Sequence, residues 1–137
     1  MASLATKLGL QPGQMVCLLD APDAAVELLR AEAPAGVDIV RGEHDERYDL
    51  LFFWPQTLDG LAERFAALQW RIMPDGALWV VIPKKAFARK RGIAFTWEEM
   101  QVAALTTDLV DNKIASFTEE DYATRFVIRK ERRNAYQ

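Results

Sequence analysis

The chain has 137 residues, half of them hydrophobic and 27% charged, which is one domain's length and excludes a disordered chain. A single Cys and a single His exclude an internal disulfide framework and a Cys/His zinc cluster, and no apolar run approaches the ~20 residues that span a bilayer. The formal net charge of −3 conceals a polarity, with 5 Lys and Arg against 11 Asp and Glu in residues 1–70 but 12 against 9 in residues 71–137; such halves suit self-association, anion capture on the basic side, or scattered surface charge.

Residues 1–13 read as a lead-in closed by the turn signal Pro12-Gly13. Met15 to Leu19 is a short continuous apolar run, the pattern of a strand buried on both faces of a parallel sheet. Asp20-Ala21-Pro22-Asp23 then opens a helix, with Pro and acidic residues suited to its first turn. Ala25, Leu28 and Leu29 form its apolar stripe, and Pro34 and Gly36 end it. Val37 to Val40 is a second short strand, Gly42 to Arg47 a polar loop, and Tyr48 to Trp54 a third buried strand closed by Pro55. Thr57 is placed to cap a helix whose Leu58, Leu61, Phe65, Leu68 and Ile72 fall at spacings of 3, 4, 3 and 4. Met73 to Gly76 is a turn, Ala77 to Ile82 a fourth buried strand, and Pro83 to Gly92 a basic loop. Thr96 with Glu99 forms a capping box for a helix reaching about Val110. Strands over Lys113–Phe117 and Tyr122–Arg129 complete the pattern, and 131–137 reads as a flexible tail.

Buried strands alternating with amphipathic helices predict a three-layer Rossmann-like open α/β sheet, mostly parallel, with a C-terminal antiparallel hairpin strand. The expected spatial order is 2-1-3-4-6-5, in one domain spanning 1–137. A ligand would then lie at the carboxyl ends of strands 1 and 3, where the winding reverses.

Leu68 to Ile82 is similar to the "L-x-P-G-G-x-L-x-V" turn and fifth strand of class I S-adenosylmethionine-dependent methyltransferases. The whole chain more closely resembles a family of small bacterial proteins, without a settled activity, that carry a truncated version of that fold. The matching residues are Lys7-Leu8-Gly9 with Pro12-Gly13-Gln14, then Pro83-Lys84-Lys85, and finally Tyr122 with Thr124-Arg125-Phe126. The resemblance implies the fold, shortened by loss of the helix–strand–helix segment between its second and fourth strands.

Set against a working methyltransferase, three features depart. The turn after strand 1, Asp20 to Ala24, contains no glycine, although such a turn needs close backbone approach to the cofactor. Arg41 stands where the fold places a ribose-binding acid, and a guanidinium cannot accept a hydrogen bond; Glu43 is close by. After strand 3 the chain reads Trp54-Pro55-Gln56, in place of the Asn/Asp-Pro-Pro-aromatic run of amino-methylating relatives. These departures argue against catalysis and predict no bound cofactor, with S-adenosylmethionine as the alternative.

No catalytic or metal-binding residue is assigned. The candidate crevice comprises Asp20, Ala21, Trp54, Pro83 and Lys84. Asp20 reads either as a ligand contact or as a helix cap, and Trp54 either stacks on a planar ligand or fills the place of a lost cofactor. Lys84, Lys85, Arg89, Lys90 and Arg91 put five cations in eight positions; they read as an anion or nucleic-acid grip, or as a solvated loop. Cys17 reads as a core residue and His44 as an exposed one, in preference to a nucleophilic pair. The N-terminus lacks signal-peptide features, so a soluble cytoplasmic protein is expected. The expected function is a non-catalytic Rossmann-like domain acting by protein association, with a protein partner or with itself as a homodimer. The alternatives are a reduced methyltransferase or nucleotide binder at the crevice, and a nucleic-acid module using residues 84–91; no membrane partner is expected.

Overall fold

The computed structural model describes residues 3–43 and 45–137. In chain order the elements are helix α1 (Leu4–Leu8), strand β1 (Met15–Leu19), helix α2 (Asp23–Glu32), strands β2 (Asp38–Arg41) and β3 (Tyr48–Phe53), helix α3 (Leu61–Leu68), strand β4 (Ile72–Pro83), helices α4 (Lys85–Ala88) and α5 (Trp97–Leu105), and strands β5 (Leu109–Ser116) and β6 (Asp121–Ile128). Short 3-10 segments cover Gln69–Arg71 and Lys130–Tyr136. The six strands form one sheet in the order β2-β1-β3-β4-β6-β5. The first four are parallel, and β6 runs antiparallel between β4 and β5. This is the order expected from the buried runs.

Period-two alternation sends the strand residues to two separate cores. Cys17, Leu19, Leu51, Phe53, Leu78 and Val80 face α3 and α5. Val16, Leu18, Leu50, Phe52, Trp79 and Val81 face α1 and α2. Chain reversal from β2 to β3 falls to residues 42–47 alone. At ~3.5 Å per residue they reach roughly 20 Å, enough to run back along a strand as short as β2. On the α3 side Glu43 pairs with Arg64 at 3.0 Å and Arg71 at 3.7 Å, and Asp45 pairs with Arg71 at 3.5 Å. His44 lies outside the described residues.

Several expectations are corrected. The lead-in contains a capped helix of its own. Ser3 caps α1 by accepting from the Thr6 amide at 3.2 Å, and Leu8 and Leu10 are buried. The Trp79 indole donates to the Leu8 carbonyl at 3.2 Å. Gln14 closes the lead by donating to the Gly9 carbonyl at 3.0 Å and accepting from the Gln11 amide at 2.8 Å, which explains the Gly-x-x-Pro-Gly-Gln spacing.

The helix expected from Leu58 begins three residues later. Thr57 accepts from the Asp59 amide at 3.2 Å, Leu58 is exposed, and Gly60 occupies the cap. The turn at 73–76 is instead a bulge within β4: Tyr48 lies opposite Ile72, but Leu50 lies opposite Ala77. Gly76 is required there, because a Cβ would stand 2.7 Å from the Asp49 carbonyl oxygen. The capping box at Thr96 and Glu99 is present, at 3.1 and 2.9 Å. Its helix stops at Leu105, where the Thr106 and Thr107 hydroxyls donate to the Ala103 and Ala104 carbonyls at 2.7 and 2.6 Å.

The tail is the largest correction. Tyr136 is 0% exposed, and its ring stacks on Trp70 with centroids 4.0 Å apart. Its hydroxyl donates to Asp108 at 2.7 Å, and its carbonyl accepts from Arg47. Burial, with the Asp108 hydrogen bond and charge, raises the phenol pKa. Tyr136→Ala is predicted to cost about 3–5 kcal/mol of unfolding free energy, the range for truncating a buried aromatic. Tyr136→Phe, which keeps the ring, is predicted to cost only about 1 kcal/mol. Urea unfolding measures both; equal, negligible losses would put this ring outside the core.

Candidate functional site

The winding reverses between β1 and β3, and their carboxyl ends lie side by side, with the Trp54 amide donating to the Leu19 carbonyl at 3.1 Å. Immediately after β1 the backbone turns sharply at Asp20, whose φ of 59° is the one positive value at a non-glycine among the described residues. Such a conformation costs an L-residue about 1 kcal/mol or more, less for Asp than for most. A glycine-type bend is therefore present although glycine is not. Asp20 is exposed and makes no capping bond; Pro22 holds the cap of α2 without a side-chain bond. The helix-cap role considered for Asp20 is not what the structure contains.

Arg41, the residue in place of the ribose-binding acid, ties this corner together. Its Nη2 donates to the Ala21 carbonyl at 2.8 Å and pairs with the Asp23 carboxylate at 2.7 Å. An acid therefore does stand beside the end of β2, brought there from the first turn of α2. Glu43, the other acid near the end of β2, is turned to Arg64 and Arg71 on the opposite face.

Ala21 and Trp54 belong to the same core cluster, at 6% and 3% exposure. Trp54 packs edge-on against Phe117 at 5.9 Å and tilted against Phe52 at 6.3 Å. Its indole nitrogen makes no hydrogen bond within the described residues, yet none of their buried side-chain nitrogens lacks a partner. That edge of the ring therefore meets solvent.

Pro83 and Lys84 are held elsewhere. Pro83 pairs with Asp121 in the sheet, the Lys84 amide donates to the Glu120 carbonyl at 2.7 Å, and its ammonium donates to Ser116 at 3.2 Å. The basic segment is not a loop throughout, because α4 forms inside it. Arg91 is engaged with Asp121 at 2.5 Å. Lys85, Arg89 and Lys90 have no ion-pair partner among the described residues. Sequence reading missed the Arg41–Asp23 link, which joins residues 18 positions apart without any local pattern.

Cys17 is fully buried and its thiol donates to the Gly42 carbonyl at 3.3 Å. Burial pushes the thiol pKa up from 9.0 to about 11. No group of three or more His, Cys, Asp or Glu among the described residues is placed to hold a metal ion, and no helix among them is long and apolar enough to cross a membrane.

No protein-family model matches the chain, and no curated protein sequence matches it significantly. Solved structures do match. The chain is similar to the N-methyltransferase NodS from Bradyrhizobium japonicum, with a TM-score of 0.64 at 12% identity over 93% of this chain and 92% of that one. It is similar to the putative methyltransferase of Haloferax volcanii solved in complex with the activator Trm112, with a TM-score of 0.61 at 10% identity over 92% and 87%. A third is an S-adenosylmethionine-dependent methyltransferase from Clostridium acetobutylicum, with a TM-score of 0.60 at 8% identity over 91% and 87%. At these identities the likeness establishes the fold: the chain has a methyltransferase-like Rossmann fold. The narrower resemblance to a small bacterial family gains no family-model match. The expectation of no cofactor is corrected by the same neighbours, which are methyltransferases, one named for its dependence on S-adenosylmethionine.

The environment of Cys17 carries a direct prediction. In the folded protein at pH 8 the thiol stays protonated and shielded, so an aromatic disulfide reagent reacts with it only after unfolding; fast reaction of the native protein would contradict this. Because the folded-state pKa is raised, this group's contribution to stability is full below about pH 9. It is lost as pH climbs toward about 11.

Proposed function

We propose that the chain binds S-adenosylmethionine, or a close adenosyl relative, at the corner after β1, as a reduced methyltransferase. The observation that carries this reading is the exposed, left-handed Asp20 at the point where the winding of a methyltransferase-like sheet reverses. The residues present fit the group in chemistry. Asp20 offers a carboxylate to the ligand's ammonium, and Asp23 offers one to the ribose hydroxyls. Arg41 holds Asp23 in place and can donate to the same hydroxyls, and the solvent-facing edge of Trp54 supplies an aromatic wall with one N–H donor. When bound, the cofactor supplies an electrophilic methyl group on a sulfonium. This chain's residues would bind and orient it and keep water from one side.

The close packing of Trp54, at 3% exposure, favours a second reading, in which the domain acts by association and needs no turnover. The Trm112 complex belongs to the Haloferax neighbour, and a protein partner for this chain rests on analogy with it together with the uneven charge.

Calorimetry with S-adenosylmethionine and S-adenosylhomocysteine tests the first reading. Saturable binding in the micromolar range is expected. Asp20→Gly relieves the backbone cost and is predicted to gain roughly 1 kcal/mol in stability while losing about tenfold in affinity. No binding of either ligand at millimolar concentration by folded protein would leave the association reading standing alone.

A further inference from the structure

Away from the adenosyl corner, the carboxyl edge of the sheet holds a cavity of about 500 Å³, within the size range of small-molecule sites. It lies beyond the end of β4, beneath α4 and the chain entering α5. Its floor is apolar: Ile82, Ile93 and Phe95 are all buried. Two half-buried rings, Trp97 and Tyr122, complete the wall. Trp97 is fixed in orientation, because its indole donates to Thr124 at 2.8 Å.

The rim is polar and carries more positive than negative charge. Lys85 and Arg89 line it, and neither has an ion-pair partner among the described residues. Of the other cations in the basic segment, Lys84 is committed to Ser116 and Arg91 to Asp121, while Lys90 lies outside the lining. Glu98 is the one carboxylate in the lining, and its charge acts on Tyr122, whose phenol is raised chiefly by burial. Tyr122 therefore stays neutral and can donate a hydrogen bond.

We propose that this cavity binds a small planar aromatic carboxylate, its ring against Phe95 and Trp97 and its anionic group held at the rim by Lys85 and Arg89. The apolar floor selects an aromatic or similarly flat body. The two unpaired cations select a negative head. The division of the basic segment into committed and uncommitted side chains explains why a dense run of five cations need not be a nucleic-acid grip: only Lys85, Arg89 and Lys90 lack an ion-pair partner among the described residues, and the first two line a pocket. This inference stands on residues separate from the adenosyl corner and does not require it to bind.

The test uses 1-naphthoate as the probe and its methyl ester as the neutral comparator, with isothermal calorimetry on the full chain. Saturable binding of naphthoate is expected, weakened at least about tenfold for the ester and about tenfold in the double variant Lys85→Ala/Arg89→Ala, whose exposed side chains are dispensable for folding. Ala88→Trp, which puts a ring into the cavity, is expected to abolish binding; circular dichroism checks that it folds, and the double variant decides if it does not. No saturable binding to the folded parent, equal affinity for the ester, or unchanged affinity in the double variant would overturn the proposal.

Discussion

A sheet with two apolar faces must be covered on both, and the described residues form only five short α-helices to do it. That constraint accounts for most of what is unusual in the structure. On one face α2 is joined by α1 and the residues before β1, drawn in through Leu8, Leu10 and the Trp79 hydrogen bond. On the other face α3 and α5 leave the region near β4 and the 3-10 turn open, and Tyr136 closes it. The segment before β1 and the segment after β6 are thus structural in the same sense: each helps to seal one core.

The same economy shapes the edge where ligands meet this fold. With no helix between β2 and β3 among the described residues, Glu43 and Asp45 of that connection pair with Arg64 of α3 and with Arg71 just beyond it. Glu43 is thereby turned away from the corner after β1. Asp23 stands there instead, held by Arg41. The electrostatic arrangement at the corner therefore follows from how the reversal is built. At the other end of the edge, Lys84 and Arg91 brace the end of β4 against the β5–β6 hairpin, which leaves Lys85 and Arg89 to face the cavity.

The sequence reading succeeded where burial leaves a repeated mark. Continuous apolar runs announced β1, β3 and β4, and together with the helices between them they led to the strand order. The capping box at Thr96 and Glu99 named its helix start because the two bonds are local. It failed where a single residue acts at a distance. Nothing near Tyr136 in a charged terminal segment signals a stacking partner at Trp70, and nothing near Arg41 signals Asp23. Leu58 continued the helical spacing yet lies outside the helix, because periodicity does not register that Gly60 sets the start. At the site, the glycine-free turn was visible but its left-handed backbone was not. A side chain that usually avoids that conformation can still be held in it by the structure on either side.

The six-residue reversal over 42–47 gives the fold a particular kind of tolerance. It joins a short strand, β2, to the centre of the sheet, and among its fastenings are ion pairs of partly exposed side chains, which contribute little individually. Material inserted there would emerge beside the free flank of β2. It could broaden the sheet by further strands without disturbing the pairing of β1, β3, β4, β6 and β5. Short and long versions of this architecture can therefore differ at one seam while sharing everything on the far side of it.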